Sequence, residues 1–457
     1  MSNNVYVNRT LNLKKIKYIG LDMDHTLIRY KTENFERLAH TVMLNKLVND
    51  LDYPKSILNL TFEFNRSIKG LVIDKNTGNL LKVSRFGGIK QSYHGLKPIN
   101  YYKRKKIFAD TFIDLGDNNF DTIDTNFSIS FANLFAQLVE LKDTTEFQTL
   151  PEYNQIAIDI NEALDKAHQD GSLKDVVREN LDHYIIRDEK IVQLMEKFIK
   201  HGKKIFILTN SEFPYSKLLL DYAINPFLKD HDSWADLFEF TITGSKKPRF
   251  FYDNLRFMRI DPETGNMTNV KSKLTPGIYQ GGSANLFTSD LNLDPGHILY
   301  IGDHIYGDIV RLKKDCAWRT GLILEELQDE VKNNKLSEDI NKKIEELMAQ
   351  KIPLETEIDN LISDEIENQH KNNKEKINAL LDEVQTIDKA ISPLISKIQN
   401  LYNPYWGEIM RTGIEESYFA YQVERFADIY MADINDLFSQ SPRSYFRSKR
   451  RLLAHDD

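Results

Sequence analysis

The sequence predicts an α/β protein with a doubly wound, mostly parallel sheet, split by a large inserted α+β cap and followed by a helical arm. Three observations carry this. Short apolar runs recur, each ending in a cluster of polar residues, as the strands of a buried parallel sheet do. Helical patterns alternate with those runs. The first two runs end near Asp22 and Thr209, a separation that suits a domain and is far too long for a loop.

The bulk composition agrees. The chain has 457 residues, 41% hydrophobic and 28% charged, enough for two or three domains with a sizeable core. Its net charge of −8 gives no basic face for nucleic acid, so no nucleic-acid partner is expected. Cys316 is the only cysteine, so no intrachain disulfide can form, which fits a reducing compartment. The N-terminus lacks the apolar core of a signal peptide, and no window reaches the apolar length of a membrane span. A cytoplasmic protein without a membrane partner is the expectation.

Each element follows in order. Lys17 to Leu27 reads as a buried strand ending in two carboxylates, Asp22 and Asp24, which would share a face along an ideal strand. From Thr32 to Asn49, Phe35, Leu38, Ala39, Val42 and Met43 keep helical spacing. Leu71 to Val83 reads as a hairpin with Gly78 in its turn, and residues 117–195 as mostly amphipathic helix. Strands are expected at Lys204–Asn210, Phe238–Gly244, His297–Asp303 and Arg319–Leu324, with a second hairpin at Arg256–Met267. From Glu325 the composition shifts to Lys, Glu, Asn, Leu and Ile at helical spacing, with Pro353 expected to separate two helices. The expected domains are a discontinuous core, 1–32 and 191–325, a cap for substrate recognition, 33–190, and residues 326–457 as a helical arm and C-terminal helices packing back on the core.

Polar groups follow four of the strands. Asp22 and Asp24 end the first. Thr209, Asn210 and Ser211 follow the second, where hydroxyl, amide and N–H groups can hold phosphate oxygens. Lys246 and Lys247 follow the third, and Asp303 and Asp308 the fourth. Each alone has an ordinary reading: a solvated strand end, a helix cap, a surface lysine. Their order counts for more, because ligands of open α/β sheets bind outside the carboxyl ends of the strands.

Asp22-Met-Asp-His-Thr-Leu27, Leu208-Thr-Asn-Ser211, Lys247-Pro248 and Gly302-Asp-His-Ile-Tyr-Gly-Asp308 resemble the four motifs of the haloacid dehalogenase superfamily of phosphatases. More narrowly, the chain resembles the cytosolic purine 5′-nucleotidases that prefer IMP and GMP. Gly171-Ser-Leu-Lys174, Lys247-Pro-Arg-Phe-Phe251 and Gln422-Val-Glu-Arg-Phe-Ala-Asp-Ile-Tyr430 support this. The resemblance implies a core of haloacid dehalogenase type. It implies that Asp22 attacks phosphorus to give an aspartyl-phosphate, that Asp24 is the acid/base, and that Thr209 and Lys247 stabilise the transferring phosphoryl group. It implies Mg²⁺ held by Asp22, the backbone carbonyl of Asp24 and Asp303, with Asp308 as a supporting or alternate ligand. Phe127, Asp165, His168 and Lys174 would read the purine. Asn161 stands where the family has an arginine. Tyr306, Lys314, Gln422, Phe426 and Asp428 fall where the family binds nucleotide activators, and a homo-oligomer, dimer or tetramer, is implied. The rival readings are a superfamily phosphatase for another small phosphomonoester and a catalytically silent scaffold using the arm.

Overall fold

The computed structural model describes residues 4–109, 113, 117–144, 150–368, 373–451, 453, 455 and 456. The chain forms two compact units, Met1–Glu325 with Ile409–Asp457, and Glu326–Glu408.

The first unit is built on a ten-stranded sheet. Its strands are β1 (Tyr6–Val7), β2 (Tyr18–Leu21), β3 (Lys204–Leu208), β4 (Phe240–Thr243), β5 (Phe257–Ile260), β6 (Met267–Asn269), β7 (Gly277–Gly281), β8 (Ile298–Gly302), β9 (Arg319–Ile323) and β10 (Ile429–Met431). The spatial order is β1-β10-β9-β8-β2-β3-β4-β7-β5-β6. From β10 through β7 every pairing is parallel, and β1, β5 and β6 extend the edges antiparallel. From β2 the chain runs outward one way through β3, β4 and β7, then returns to β8 on the other side. The order therefore reverses beside β2, the crevice where α/β sheets bind ligands.

Alternation explains the two cores. Ile19, Leu21, Ile205, Ile207, Leu299 and Ile301 pack on one face of the sheet. Tyr18, Phe206, Leu208, Phe240, Ile242 and Tyr300 pack on the other. Gly20 is level with Phe206 and Tyr300. A Cβ there would lie 2.3 Å from Phe206 Cζ and 2.7 Å from Tyr300 Cδ2, so the two rings close over glycine. The register also aligns the strand ends, since Leu21 pairs with both Ile207 and Ile301.

The chain leaves the sheet after Arg29–Tyr30 and returns at Ile185–Ile186, and these two short strands pair antiparallel. Between them lies a five-stranded antiparallel sheet with the helices Thr32–Asp50, Ile129–Lys142 and Tyr153–Gln169. The Leu71–Val83 hairpin forms as expected, with Gly78 at φ 70°. Within residues 117–195 the sequence pattern missed two strands, Ile185–Ile186 itself and Phe120–Thr122, which pairs with Val72–Asp74.

Two expectations are corrected after residue 325. Pro353 does not separate helices: Leu327–Asn368 is one helix of 42 residues with Pro353 inside it. Proline removes one backbone hydrogen bond, and contact with the helix Lys374–Gln399 along its length holds the rest. The C-terminal part of 326–457, expected as helices, also holds strand: Ile429–Met431 joins the central sheet beside β9. No helix among the described residues is long and apolar enough to cross a membrane.

Candidate active site

The strand β2 ends at Leu21, and the chain turns at once. Asp22 N–H still bonds to Ile301 O of the neighbouring strand, and Ile28 N–H returns to Met23 O at 2.8 Å. His25 takes a left-handed φ of 55° inside this turn. Because the backbone leaves the strand conformation, Asp22 and Asp24 do not share a face as an ideal strand would have it. Asp22 Oδ1 accepts from Met23 N–H at 2.7 Å and pairs with Lys247 Nζ at 2.8 Å. Asp24 points elsewhere: its Oδ1 accepts from the Tyr30 hydroxyl at 2.7 Å and its Oδ2 from Ser211 Oγ at 2.8 Å and, weakly, from Thr209 Oγ1 at 3.5 Å.

Lys247 is carried by the loop after β4, and Asn210 clamps that loop. Its Oδ1 accepts from Lys247 N–H at 2.5 Å and Ser245 Oγ at 3.0 Å, while its Nδ2 donates to Lys247 O at 3.0 Å. The side-chain amide of Asn210 thus holds the Lys247 loop, using its Oδ1 and one of its two Nδ2 hydrogens. Lys247 Nζ also meets Asp308 Oδ1 at 2.7 Å and the Tyr300 hydroxyl at 2.8 Å. Burial alone would lower the lysine pKa, but Asp22 and Asp308 outweigh it and raise it, so the ammonium persists.

Asp22, Asp303 and Asp308 each bring one carboxylate oxygen within 4.8 Å of the others. Asp303 is 4% exposed and Asp308 1%. Burial, then the neighbouring Asp308 and Asp303 charges, push the Asp22 pKa well above the carboxylate range, despite Lys247. Burial pushes Asp303 up to about 6, against the opposing pull of Lys69. Lys247 touches two of the three clustered carboxylates and Lys69 acts on the third, so negative charge remains in excess; oxygen donors of this kind fit a divalent metal ion. The Asp24 carboxylate is outside the cluster. A cap residue reaches in: Thr125 Oγ1 donates to Asp303 Oδ2 at 3.1 Å.

These groups line a cavity of about 380 Å³. All of Asp22, Asp24, Thr209, Asn210, Ser211, Lys247, Asp303 and Asp308 lie on its wall, and so do Phe127, Asp165, His168 and Lys174 from the cap. Burial and the Lys174 charge push His168 down to about 4, so its ring is neutral. Burial and Glu162 raise the Asp165 carboxyl. Phe127 packs edge-on to His168 at 5.4 Å and to Phe35 at 5.3 Å. Lys174 Nζ sits 5.5 Å from the Tyr215 ring centre. Sequence reasoning missed Tyr30, Phe35, Thr125, Tyr215 and His304, which also line the cavity. Thr125 stands two residues before Phe127 and Tyr30 six after Asp24, but nothing local marks which way those side chains turn.

A second cavity of about 780 Å³ takes in Tyr306, Lys314, Gln422 and Phe426, four of the five residues expected at an activator site. Tyr306 lines both cavities. Asp428 is the correction: it is fully buried, pairs with Arg319 Nε at 2.7 Å and Lys313 Nζ at 2.8 Å, and is not on that wall. These two cations, Arg9 Nη1 at 3.7 Å and the Thr320 N–H at 3.1 Å make it an internal anchor between β9 and β10.

A mostly parallel sheet gathers at its reversal point an acidic turn, a hydroxyl strand end, a lysine and a buried carboxylate cluster. The chain belongs to the 5′ nucleotidase family, whose model matches residues 5–457. It is 26% identical to a 5′-nucleotidase domain-containing protein of Dictyostelium discoideum over 99% of this chain and 74% of that one. It is 25% identical to 5′-nucleotidase domain-containing protein 2 of Homo sapiens over 99% of this chain and 85% of that one. Among solved structures, CbbY from Rhodobacter sphaeroides in complex with phosphate matches with a TM-score of 0.23 and 13% identity, over 67% of this chain and 86% of that chain.

Proposed function

We propose that the protein is a cytoplasmic, Mg²⁺-dependent 5′-nucleotidase that hydrolyses IMP and GMP to nucleoside and phosphate. The observation that carries this is the shared cavity, in which Asp22, Asp24, Thr209, Lys247 and Asp303 face Phe127, Asp165, His168 and Lys174 of the cap. Asp22 attacks the phosphorus in line and becomes an aspartyl-phosphate. Asp24 protonates the leaving ribose 5′-oxygen, then takes a proton from the water that releases phosphate. Lys247 and Thr209 hold the developing charge on the equatorial oxygens. Asp22, Asp303 and Asp308, with the Asp24 carbonyl, would hold the Mg²⁺. When bound, the ion supplies positive charge that lets a carboxylate meet a phosphate dianion.

The cap gives the base preference. Asp165 can accept from N1–H of hypoxanthine or guanine, a donor adenine lacks, and Phe127 offers a face or edge for the purine. The same aspartyl-phosphate can pass its phosphoryl group to another nucleoside, giving phosphotransferase activity. ATP is the proposed activator at the second cavity, and a dimer or tetramer is the proposed assembly. Phosphate release across all nucleoside monophosphates tests the reading. IMP and GMP should exceed AMP about 10–100-fold, the worth of one satisfied charged hydrogen bond, and exceed sugar phosphates further. Asp22→Asn should abolish turnover and keep the fold. Another phosphomonoester as the best substrate would replace the purine reading; no release from any compound with Mg²⁺ would favour the scaffold.

A further inference from the structure

Asp24 is held from two sides, and only one of them touches the hydroxyl strand end. Its Oδ2 lies on the side of Ser211 and Thr209. Its Oδ1 accepts from Tyr30, which is 3% exposed. The Tyr30 oxygen is also 3.1 Å from the hydroxyl of Tyr215, itself 4% exposed. An ionised carboxylate only accepts, and a phenol has one proton to give. Tyr30 therefore donates to Asp24, and Tyr215 donates to Tyr30. The Tyr30 ring is fixed by His25, stacked at 4.7 Å, and by Phe35, edge-on at 5.2 Å. Its backbone sits in the strand pair where the chain enters and leaves the cap, opposite Ile185.

We propose that Tyr30, backed by Tyr215, is a positioning residue for the acid/base carboxylate. By occupying Oδ1 it commits Oδ2 as the oxygen that moves protons. In the first half, the bond from Asp22 to phosphorus forms as the bond to the leaving oxygen breaks, and the Oδ2 proton goes to that oxygen. In the second half, the oxygen of water bonds to phosphorus, its proton goes to Oδ2, and the Asp22–phosphorus bond breaks. The Ser211 hydroxyl rotates to suit either state of Oδ2. Without Tyr30 the carboxyl group is free to turn, and the proton is no longer held toward the leaving group. This deepens the phosphohydrolase reading and rests on it.

The test compares leaving groups. kcat/KM is measured for IMP, phenyl phosphate and p-nitrophenyl phosphate with wild type, Tyr30→Phe and Tyr215→Phe, with circular dichroism as the check on folding. The nitrophenolate leaves without a proton, whereas the other two leaving groups need one. Tyr30→Phe should lower kcat/KM about 10–100-fold for IMP and phenyl phosphate, in kcat rather than KM, and several-fold less for p-nitrophenyl phosphate. Tyr215→Phe should move in the same direction by less, and it carries the test if Tyr30→Phe does not fold. Equal losses on all three substrates, or none, would overturn the proposal. A wild type that cleaves the aryl phosphates but no nucleotide would end the purine reading, while the aryl pair still decides the role of Tyr30. A wild type inert toward all three would overturn the phosphatase reading and this proposal together.

Discussion

Glu36 is a carboxyl group that works against its own surroundings. It lies in the helix Thr32–Asp50, fully buried, and its Oε2 accepts the Ser130 N–H at 2.7 Å at the start of the helix Ile129–Lys142. A helix N-terminus favours a negative charge there, but burial opposes it more strongly and pushes the pKa up to about 8. The folded-state pKa thus stands above the unfolded one. The neutral acid contributes its full stability below about pH 4.5 and loses it as pH rises through 8. Glu36→Gln keeps the acceptor and removes the charge. It should stabilise the protein on the order of 2 kcal/mol at pH 8.5 and change little at pH 4.5. Urea melts at the two pH values check this, and a gain independent of pH would refute the assignment. Burial and charge pairing act separately here: Lys247, with its side chain 5% exposed, stays charged because Asp22 and Asp308 touch it.

At the scale of the element, β8 positions the carboxylate cluster through what it lacks. Gly302 ends that strand, and a Cβ there would meet Asp308 Oδ2 at 2.3 Å. Asp308 cannot easily retreat, because Lys247 holds its Oδ1 and His304 N–H its Oδ2 at 3.2 Å. Gly302→Ala should therefore displace Asp308 and weaken Mg²⁺ binding about 10–100-fold, as when a ligand's supports are disturbed. Isothermal titration with Mg²⁺ reads this directly; an unchanged affinity would mean that Asp308 does not serve the ion. The strands of this sheet also set what is legible in the sequence. Asp22, Thr209, Lys247 and Asp303 stand out because strand ends of a parallel sheet converge, and the apolar runs locate those ends. Tyr30 and Thr125 do not, because long-range packing aims their side chains and no spacing rule does. The residue type of Asn210 suggests a phosphate contact but does not announce its clamp on Lys247, which lies in a loop far along the chain. Pro353 misleads for a related reason: local propensity marks a break, and tertiary contact along a long helix overrides it. Ile429–Met431 is hidden because three residues carry too little alternation to announce a strand.

For the whole first unit, the two cavities share one segment. The π-helical turn Ile305–Val310 follows the end of β8 and carries Asp308 toward the carboxylate cluster and Tyr306 between the cavities. It is followed by Arg311–Asp315, which brings Lys314 over the Phe426 ring at 5.4 Å and Lys313 to the buried Asp428. A ligand in the second cavity thus touches the segment that places one carboxylate of the Asp22, Asp303 and Asp308 cluster. It can act on rate only through unequal affinity for two arrangements of that segment. The proposed activator reading has a sharp consequence. ATP should raise the rate of IMP hydrolysis saturably. Gln422→Ala and Phe426→Ala should weaken the apparent activation constant roughly 5–50-fold, the usual cost of truncating a contact worth about 1–2 kcal/mol. Both should leave the rate without ATP near that of the wild type, since neither residue lines the cavity that holds Asp22 and Asp24. A rate indifferent to ATP would remove the activator reading and leave the hydrolase untouched. Activation that survives both substitutions would move the activator elsewhere, because both residues line the second cavity from the helix Tyr418–Phe426, away from the turn Ile305–Val310.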